Sequence, residues 1–399
     1  RPPISTLFPY TTLFRSEIEK ATKLEDGKIY GFPYLVTASP ANISPKLFYN
    51  KDWAESANIQ PPTTLDELVN VLTVFRDSDW NGNNQADEIA LGVDNQGQLY
   101  RALYGSFGLA NHGIVNGMWD EDPQTKKIRF FAVSDQYKTF LQFINRLYTE
   151  KLLDQEYFTV DLAKFSAKAQ LNQIGLAFIH NNNYLGDYKD VFKTLPGPFK
   201  GPESTLLYSG RNLVVAGQNT FMTSANKYPE ATVRWVDFFY SEEGVRMYFM
   251  GIEDVTWKLD SSGKPQFTEY VTKNPDGLNM EEALGRYVAW SGGSNPSIAD
   301  DLHFGNHLIP KITVDAADAL MPHTPAEVWA AFTFSSEDTQ RLAVVSQDIN
   351  TYVEDMRAKF ITGNTSFDAW ETYVNTITNM GLAEYTEIMQ RGLDNYLSK

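Results

Sequence analysis

Two α/β lobes are expected from this chain, on three observations. At 399 residues it exceeds what one compact core usually holds. Short apolar strands, Lys46-Leu-Phe-Tyr-Asn50 and Gly175-Leu-Ala-Phe-Ile179, are interspersed with stripes at helical spacing. Polar and aromatic residues follow the second strand directly, at His180-Asn-Asn-Asn-Tyr184, where α/β folds usually place ligands.

Each element has a local reason. Asp26-Gly-Lys-Ile-Tyr-Gly-Phe-Pro-Tyr34 reads as a turn and a strand interrupted at Pro33, which has no N–H to give a neighbour. Beyond Lys51-Asp-Trp53, Thr64 and Glu67 have the spacing of a capping box, and Leu65, Leu68, Val69, Leu72 and Phe75 continue as one helical face. Tyr137, Phe140, Leu141, Ile144 and Tyr148 mark a second amphipathic helix. Leu342, Val345, Ile349, Tyr352, Val353 and Met356 mark a third. Phe367, Trp370, Val374 and Ile377 mark a fourth, with Gly381 as its C′ stop. These stripes are expected to be core.

Composition excludes several classes. No apolar run reaches the length of about eighteen residues that spans a bilayer. With no cysteine, disulfides, thiolate catalysis and Cys-ligated zinc are all ruled out. A net charge of -16 argues against nucleic acid, which needs a basic face. Eight Trp and 21 Tyr supply flat amphipathic surfaces on which ligand rings can lie, although such residues also fill cores.

The chemically most distinctive stretch is Asp77-Ser-Asp79-Trp-Asn81-Gly82-Asn83-Asn-Gln85-Ala-Asp87-Glu88. Oxygen-bearing side chains recur at alternate positions, and a hard cation such as Ca²⁺ takes about six to eight oxygens. Counted from Asp77 to Glu88, the loop satisfies the EF-hand spacing, with Gly82 at the sharp turn. A second register uses Asp79, Asn81, Asn83, the Gln85 carbonyl, Asp87 and Glu88. The same residues also suit a surface turn whose side chains bond their own backbone.

Signals for catalysis are few. There is no GxSxG elbow, Walker A loop or HExxH. His303 and His307 could share a helical face, but Gly305 and Pro310 weaken that helix. Glu242-Glu243 and Asp300-Asp301 are expected to be solvated surface, and Gly292-Gly293 a turn.

The order of these pieces carries a resemblance: strand, Asn50-Lys-Asp-Trp53, Pro61-Pro-Thr-Thr-Leu-Asp-Glu67 helix, then the Asp/Asn/Gly loop. Further matches are Tyr228-Pro-Glu-Ala231, Phe239-Tyr-Ser-Glu-Glu-Gly244, Gly251-Ile-Glu-Asp-Val-Thr-Trp257, Asp348-Ile-Asn-Thr-Tyr-Val353, Lys359-Phe-Ile-Thr-Gly363 and Trp370 through Leu382. Residues 17–399 resemble the extracellular solute-binding proteins, family 1, of carbohydrate ABC importers, in the branch that includes alginate-oligosaccharide-binding proteins. The resemblance implies a type II periplasmic-binding-protein fold: two lobes, a hinge, and a ligand cleft between them.

It further implies crossovers near residues 27–34 and 211–216. Residues 17–37 and 218–325 are then the remnant of an N-terminal lobe whose first half lies upstream, and 38–217 with 326–399 form the C-terminal lobe. The first sixteen residues resemble a translated sequencing adapter at the end of a metagenomic contig and are expected to be foreign to the fold. Without Arg1 and Arg15 the net charge of -16 becomes -18. Any signal peptide would lie upstream of this sequence.

From that family come the functional expectations. The chain would be an extracytoplasmic monomer, a cell-surface lipoprotein or periplasmic, capturing an oligosaccharide for an ABC permease without catalysis. Tyr34, His180, Asn182, Tyr184, Tyr208, Arg211, Trp257 and Trp290 are the ligand-binding candidates, and Arg211 would pair a uronate carboxylate in two places. The alginate-binding branch implies the second register for a structural Ca²⁺: Asp79, Asn81, Asn83, Gln85, Asp87 and Glu88. The alternatives are a secreted, calcium-stabilised polysaccharide lyase or glycoside hydrolase, and a cell-surface adhesion module.

Overall fold

The computed structural model describes residues 12–24, 26–202, 206–278, 280–288, 297–305 and 310–399. Its larger sheet has four strands in the order β3-β4-β2-β5: β2 is Lys46–Asn50, β3 Ile89–Val93, β4 Ile174–Ile179 and β5 Phe192–Thr194. β3 and β4 run parallel, pairing Val93 with Phe178, while β2 is antiparallel to β4 and pairs Lys46 with Ile179. This register places Lys46, Asp94 and His180 at one end of the sheet, where β2 begins and β3 and β4 finish. β4 is buried along its whole length, which explains why it reads as an uninterrupted apolar run.

A second sheet, β7-β1-β6, joins β1 (Gly31–Val36), β6 (Val214–Phe221) and β7 (Ile298–Ala299). β1 pairs antiparallel with β6, and the register slips on either side of Tyr34, next to Pro33. Successive side chains of a strand point to opposite faces. Leu35 accordingly packs into the larger apolar cluster and Val36 into a smaller one with Val245, Phe249, Met250 and Trp257. The two cores meet on β1.

The expected helices form. α1 (Leu65–Arg76) starts at a full capping box: Thr64 accepts from the Glu67 N–H at 3.1 Å and Glu67 accepts from the Thr64 N–H at 3.2 Å. α2 (Gln96–Leu103) follows β3, and α3 (Asp135–Thr149) packs on the long helix Ser336–Thr362. The stripe beyond Trp370 ends at Ile377. Gly381, at φ +105°, lies in the π-turn that joins it to the last helix, Ala383–Leu397.

Packing bears on three of the expectations. The helix Lys311–Leu320, α4, falls in the segment expected in the smaller lobe. Its Ala316, Ala317 and Leu320 sit in the larger cluster, and Thr313 bonds Asn182. Asp300 is not solvated surface: it accepts from the buried His303, at 2.7 Å from the N–H and 2.9 Å from Nδ1. The boundary expected at residue 16 falls inside one helix, Thr12–Thr22. His307, Gly292, Gly293 and Trp290 lie outside the described residues.

Candidate binding cleft and oxyanion-rich loop

The cleft site begins at the strand ends. Asp94, the first residue after β3, is buried and accepts from the His180 N–H and Nδ1, both at 2.9 Å, and from the Asn95 amide at 2.8 Å. The Gln98 amide, one turn into α2, meets the His180 ring. Lys46 opens β2 on the same edge and is 4 % exposed. Burial first, then the like charge of Arg211, pulls its ammonium down to about 7, with Asp94 opposing. Arg211 is held by its backbone N–H on the Asn42 carbonyl at 3.0 Å. Burial and the neighbouring Arg101 lower its guanidinium. Tyr34, on β1, is pushed up to about 12 by burial and by Tyr248, against the pull of Arg211.

Arg101 also lines a cavity of about 430 Å³ formed with Gln96, Tyr100, Asn116, Asn350, Glu354 and Arg357. The Arg357 guanidinium lies over the Tyr100 ring at 4.7 Å. Amides, cations and aromatic faces converge here, the chemistry that reads hydroxyl-bearing rings.

Tyr34 and Arg211 lie within reach of each other's charge, and His180 is held by Asp94 at the end of β3. Others of the sequence candidates are committed to packing. Tyr208 is fully buried and its hydroxyl donates to the Pro45 carbonyl. Asn182 is buried against Thr313, which donates to its Oδ1 at 3.1 Å. Trp257 is buried in the smaller cluster under the Arg246 guanidinium, 4.9 Å from the ring centre. Tyr184 packs on the larger cluster. Sequence reading missed Lys46, Asp94, Gln98 and Arg101. The rule that singled out His180, a polar residue just past a strand, would have found Asp94.

The loop after α1 holds its carboxylates on backbone and amide N–H groups. Asp77 is held by Arg76, with Nε donating at 2.6 Å and an Nη at 2.9 Å, so its carboxylate is engaged outside the loop. Asp79 accepts from the N–H groups of Gly82, Asn83 and Asn84 at 2.8, 3.2 and 2.8 Å. Glu88 accepts from the Trp80 N–H at 2.8 Å. The Asn81 and Asn83 amides and Gln173 donate to Asp87 at 3.1, 2.9 and 2.7 Å. Burial opposes ionisation of Asp87, but the bonds from Asn83, Gln173 and Asn81 hold its carboxyl below the usual range. Gly82 and Asn84 supply the left-handed turns, at φ +75° and +59°. Among the described residues no three acidic or histidine side chains already form a metal cluster.

Residues 10–246 match the model of the bacterial extracellular solute-binding proteins. The chain belongs to that family. It is 26% identical, over 93% of its own length and 70% of the relative's, to the fructooligosaccharide ABC transporter substrate-binding protein FusA of Streptococcus pneumoniae. It is also 26% identical to lipoprotein LipO of Bacillus subtilis, over 40% of this chain and 32% of LipO. The fold is that of the periplasmic binding proteins. It superposes on FusA in complex with kestose with a TM-score of 0.74 at 24% identity, covering 99% of this chain and 83% of that one. For alginate-binding protein AlgQ2 without calcium ion the score is 0.77 at 20% identity, covering 98% and 79%. FusA and AlgQ2 are binding proteins, and the family is extracellular. Among the described residues no helix is long and apolar enough to cross a membrane.

Proposed function

We propose that this chain captures an oligosaccharide between its lobes and delivers it, unmodified and as a monomer, to an ABC permease at the outer face of the membrane. The observation that carries this is the cavity lined by Gln96, Tyr100, Arg101, Asn116, Asn350 and Arg357, where amides, cations and an aromatic face come together. Named functions of the relatives support it: FusA is a fructooligosaccharide-binding protein, and a solute-binding protein of Bifidobacterium longum infantis, TM-score 0.76, binds HMO. LipO is a lipoprotein, which supports a lipid-anchored form. The competing reading, a lyase or glycosidase, is separated by sizing a neutral and a uronic oligosaccharide panel after incubation. Unshortened chains are expected, and any shortening would favour the enzyme.

The loop is the proposed structural Ca²⁺ site. Asp79, Asp87 and Glu88 offer three carboxylates, and turning the Asn81 and Asn83 amides would present their oxygens in place of the N–H groups now on Asp87. Solved relatives include a FusA EF-hand mutant, which supports such a site. An ion at a thousand times its Kd stabilises by about 4 kcal/mol. Chelation is therefore expected to lower the melting temperature by several degrees and to leave sugar affinity within about twofold, since the loop lies away from the cleft. An unchanged melting temperature would count against the ion, and lost affinity against a purely structural role.

The proposed lobes are 38–217 with 311–399, and the segments around β1, β6 and 229–299. The smaller is proposed to be a remnant. Tyr228 and Trp235 on its helix Pro229–Phe238 are 75% and 65% exposed, apolar surface that suits cover by further chain.

A further inference from the structure

Two helices supply much of the cavity wall. Gly97, Tyr100 and Arg101 share a face of α2, and Asn350, Glu354 and Arg357 share a face of the long helix Ser336–Thr362. The polar groups of this wall divide by whether their bonds are already made. The Asn116 amide donates to the Ala330 carbonyl at 3.0 Å and accepts from the Phe332 N–H at 3.1 Å. The Gln96 amide donates to the Phe158 carbonyl at 2.9 Å. Those two hold the wall together.

Among the described residues, the side chains of Arg101, Asn350 and Glu354 make no hydrogen bond. Arg357, whose guanidinium lies over the Tyr100 ring, stands 4.0 Å from the Glu354 carboxylate. That is a contact of charges, too long for a hydrogen bond. The Glu354 side chain is 67% exposed and that of Arg357 17%, so the carboxylate stands at the mouth and the guanidinium deeper in.

The chemistry of the free groups limits what can sit against them. An ionised carboxylate only accepts, a guanidinium only donates, and an amide does both. A hydroxyl also does both. Two neighbouring hydroxyls of a sugar ring can therefore donate to Glu354 while their oxygens accept from Arg101 and the Asn350 amide. A ligand anion would meet the like charge of Glu354, the one acid among the described lining residues, and a ligand cation would meet two guanidinium groups.

We propose that Glu354 sets specificity, its carboxylate accepting from a pair of neighbouring hydroxyls on an uncharged sugar ring. This rests on the carbohydrate reading above and names the ligand class together with the residue that reads it. Arg357 is a positioning residue, holding the carboxylate by charge from below and leaving its lone pairs to the ligand. Hydrogen bonds to an ionised group are the stronger ones, and a site built around a ligand hydroxyl discriminates steeply against ligands that cannot supply it.

The test is calorimetric titration of the full chain with kestose, maltotriose, mannotriose and galactotriose, which are neutral, with trigalacturonate, and with the cationic glucosamine trimer. At least one neutral trisaccharide is expected to bind about ten times or more tightly than either charged one. For that sugar, Glu354→Gln and Glu354→Ala should each lose about tenfold or more in affinity. Glu354→Gln should also bind trigalacturonate more tightly than the native chain does. Because the Glu354 side chain is largely exposed, melting temperatures of both variants should stay near the native value, which separates a lost contact from a lost fold. Monodeoxy forms of the binding sugar should reveal one pair of neighbouring positions whose loss weakens the native chain and not Glu354→Gln. A Glu354→Gln chain that binds as tightly as the native one, or a charged trisaccharide that binds best, would overturn the inference and leave the carbohydrate reading standing. Failure of every sugar to bind would overturn both.

Discussion

Lys46→Met is expected to make the unliganded protein more stable at neutral and lower pH, and the gain to vanish in alkali. In the fold this ammonium titrates at about 7 where its ordinary value is 10.5. A lysine lowered on folding penalises the folded state fully below the folded value, and the penalty is relieved as pH rises towards the unfolded value. The fall from 10.5 to about 7, at about 1.36 kcal/mol for each pH unit, sets an upper limit of roughly 5 kcal/mol. Urea unfolding at a series of pH values would show native stability climbing between about pH 7 and 10.5, and the Met variant without that climb. Parallel profiles for the two proteins would mean that Lys46 is solvated or paired. A variant more stable yet poorer at binding would be the usual mark of a strained functional position.

Trp53→Ala is expected to cost about 3–5 kcal/mol, because this buried indole is the joint between strand β2 and the loop. Its ring meets Phe75 edge-on at 5.4 Å and stacks on Trp80 at 6.2 Å. The Trp80 indole in turn donates to the Phe75 carbonyl at 3.0 Å. β4 makes room by carrying Gly175, where a Cβ would lie 2.5 Å from Phe75 and 3.0 Å from Trp53. Removing the indole leaves a cavity that this close packing cannot collapse, and it loosens Trp80 at the start of the Asp79–Glu88 loop. Denaturant midpoints measured with and without calcium should show both a lower stability and a smaller calcium effect. A change within about 0.5 kcal/mol, as for a surface site, would contradict the packing account.

What was legible in the sequence is what depends on near neighbours along the chain. The Thr64–Glu67 box, the stripe from Leu65 to Phe75 and the apolar β4 follow from local spacing, and all appear as read. The order β3-β4-β2-β5 rests on pairings such as Lys46 with Ile179, more than a hundred residues apart, which no periodicity announces. Helix α4, Lys311–Leu320, shows the same limit: its stripe says that one face is buried, not in which core. Two of the aromatic candidates are buried for a related reason. Tyr208 and Trp257 have the amphipathic character of sugar platforms, but their polar atoms are spent on the Pro45 and Gly251 carbonyls. Lys46 went unnoticed because a lysine at the start of a strand reads as a solvated end, and only the fold shows it buried.

Calorimetric titration of the calcium-loaded chain with a panel of neutral and uronic oligosaccharides tests the central claim most directly. The account predicts saturable, single-site, micromolar binding to at least one oligosaccharide, with heat that stops at saturation and sugar recovered unshortened. No binding to any member of the panel, or steady heat from turnover, would contradict it.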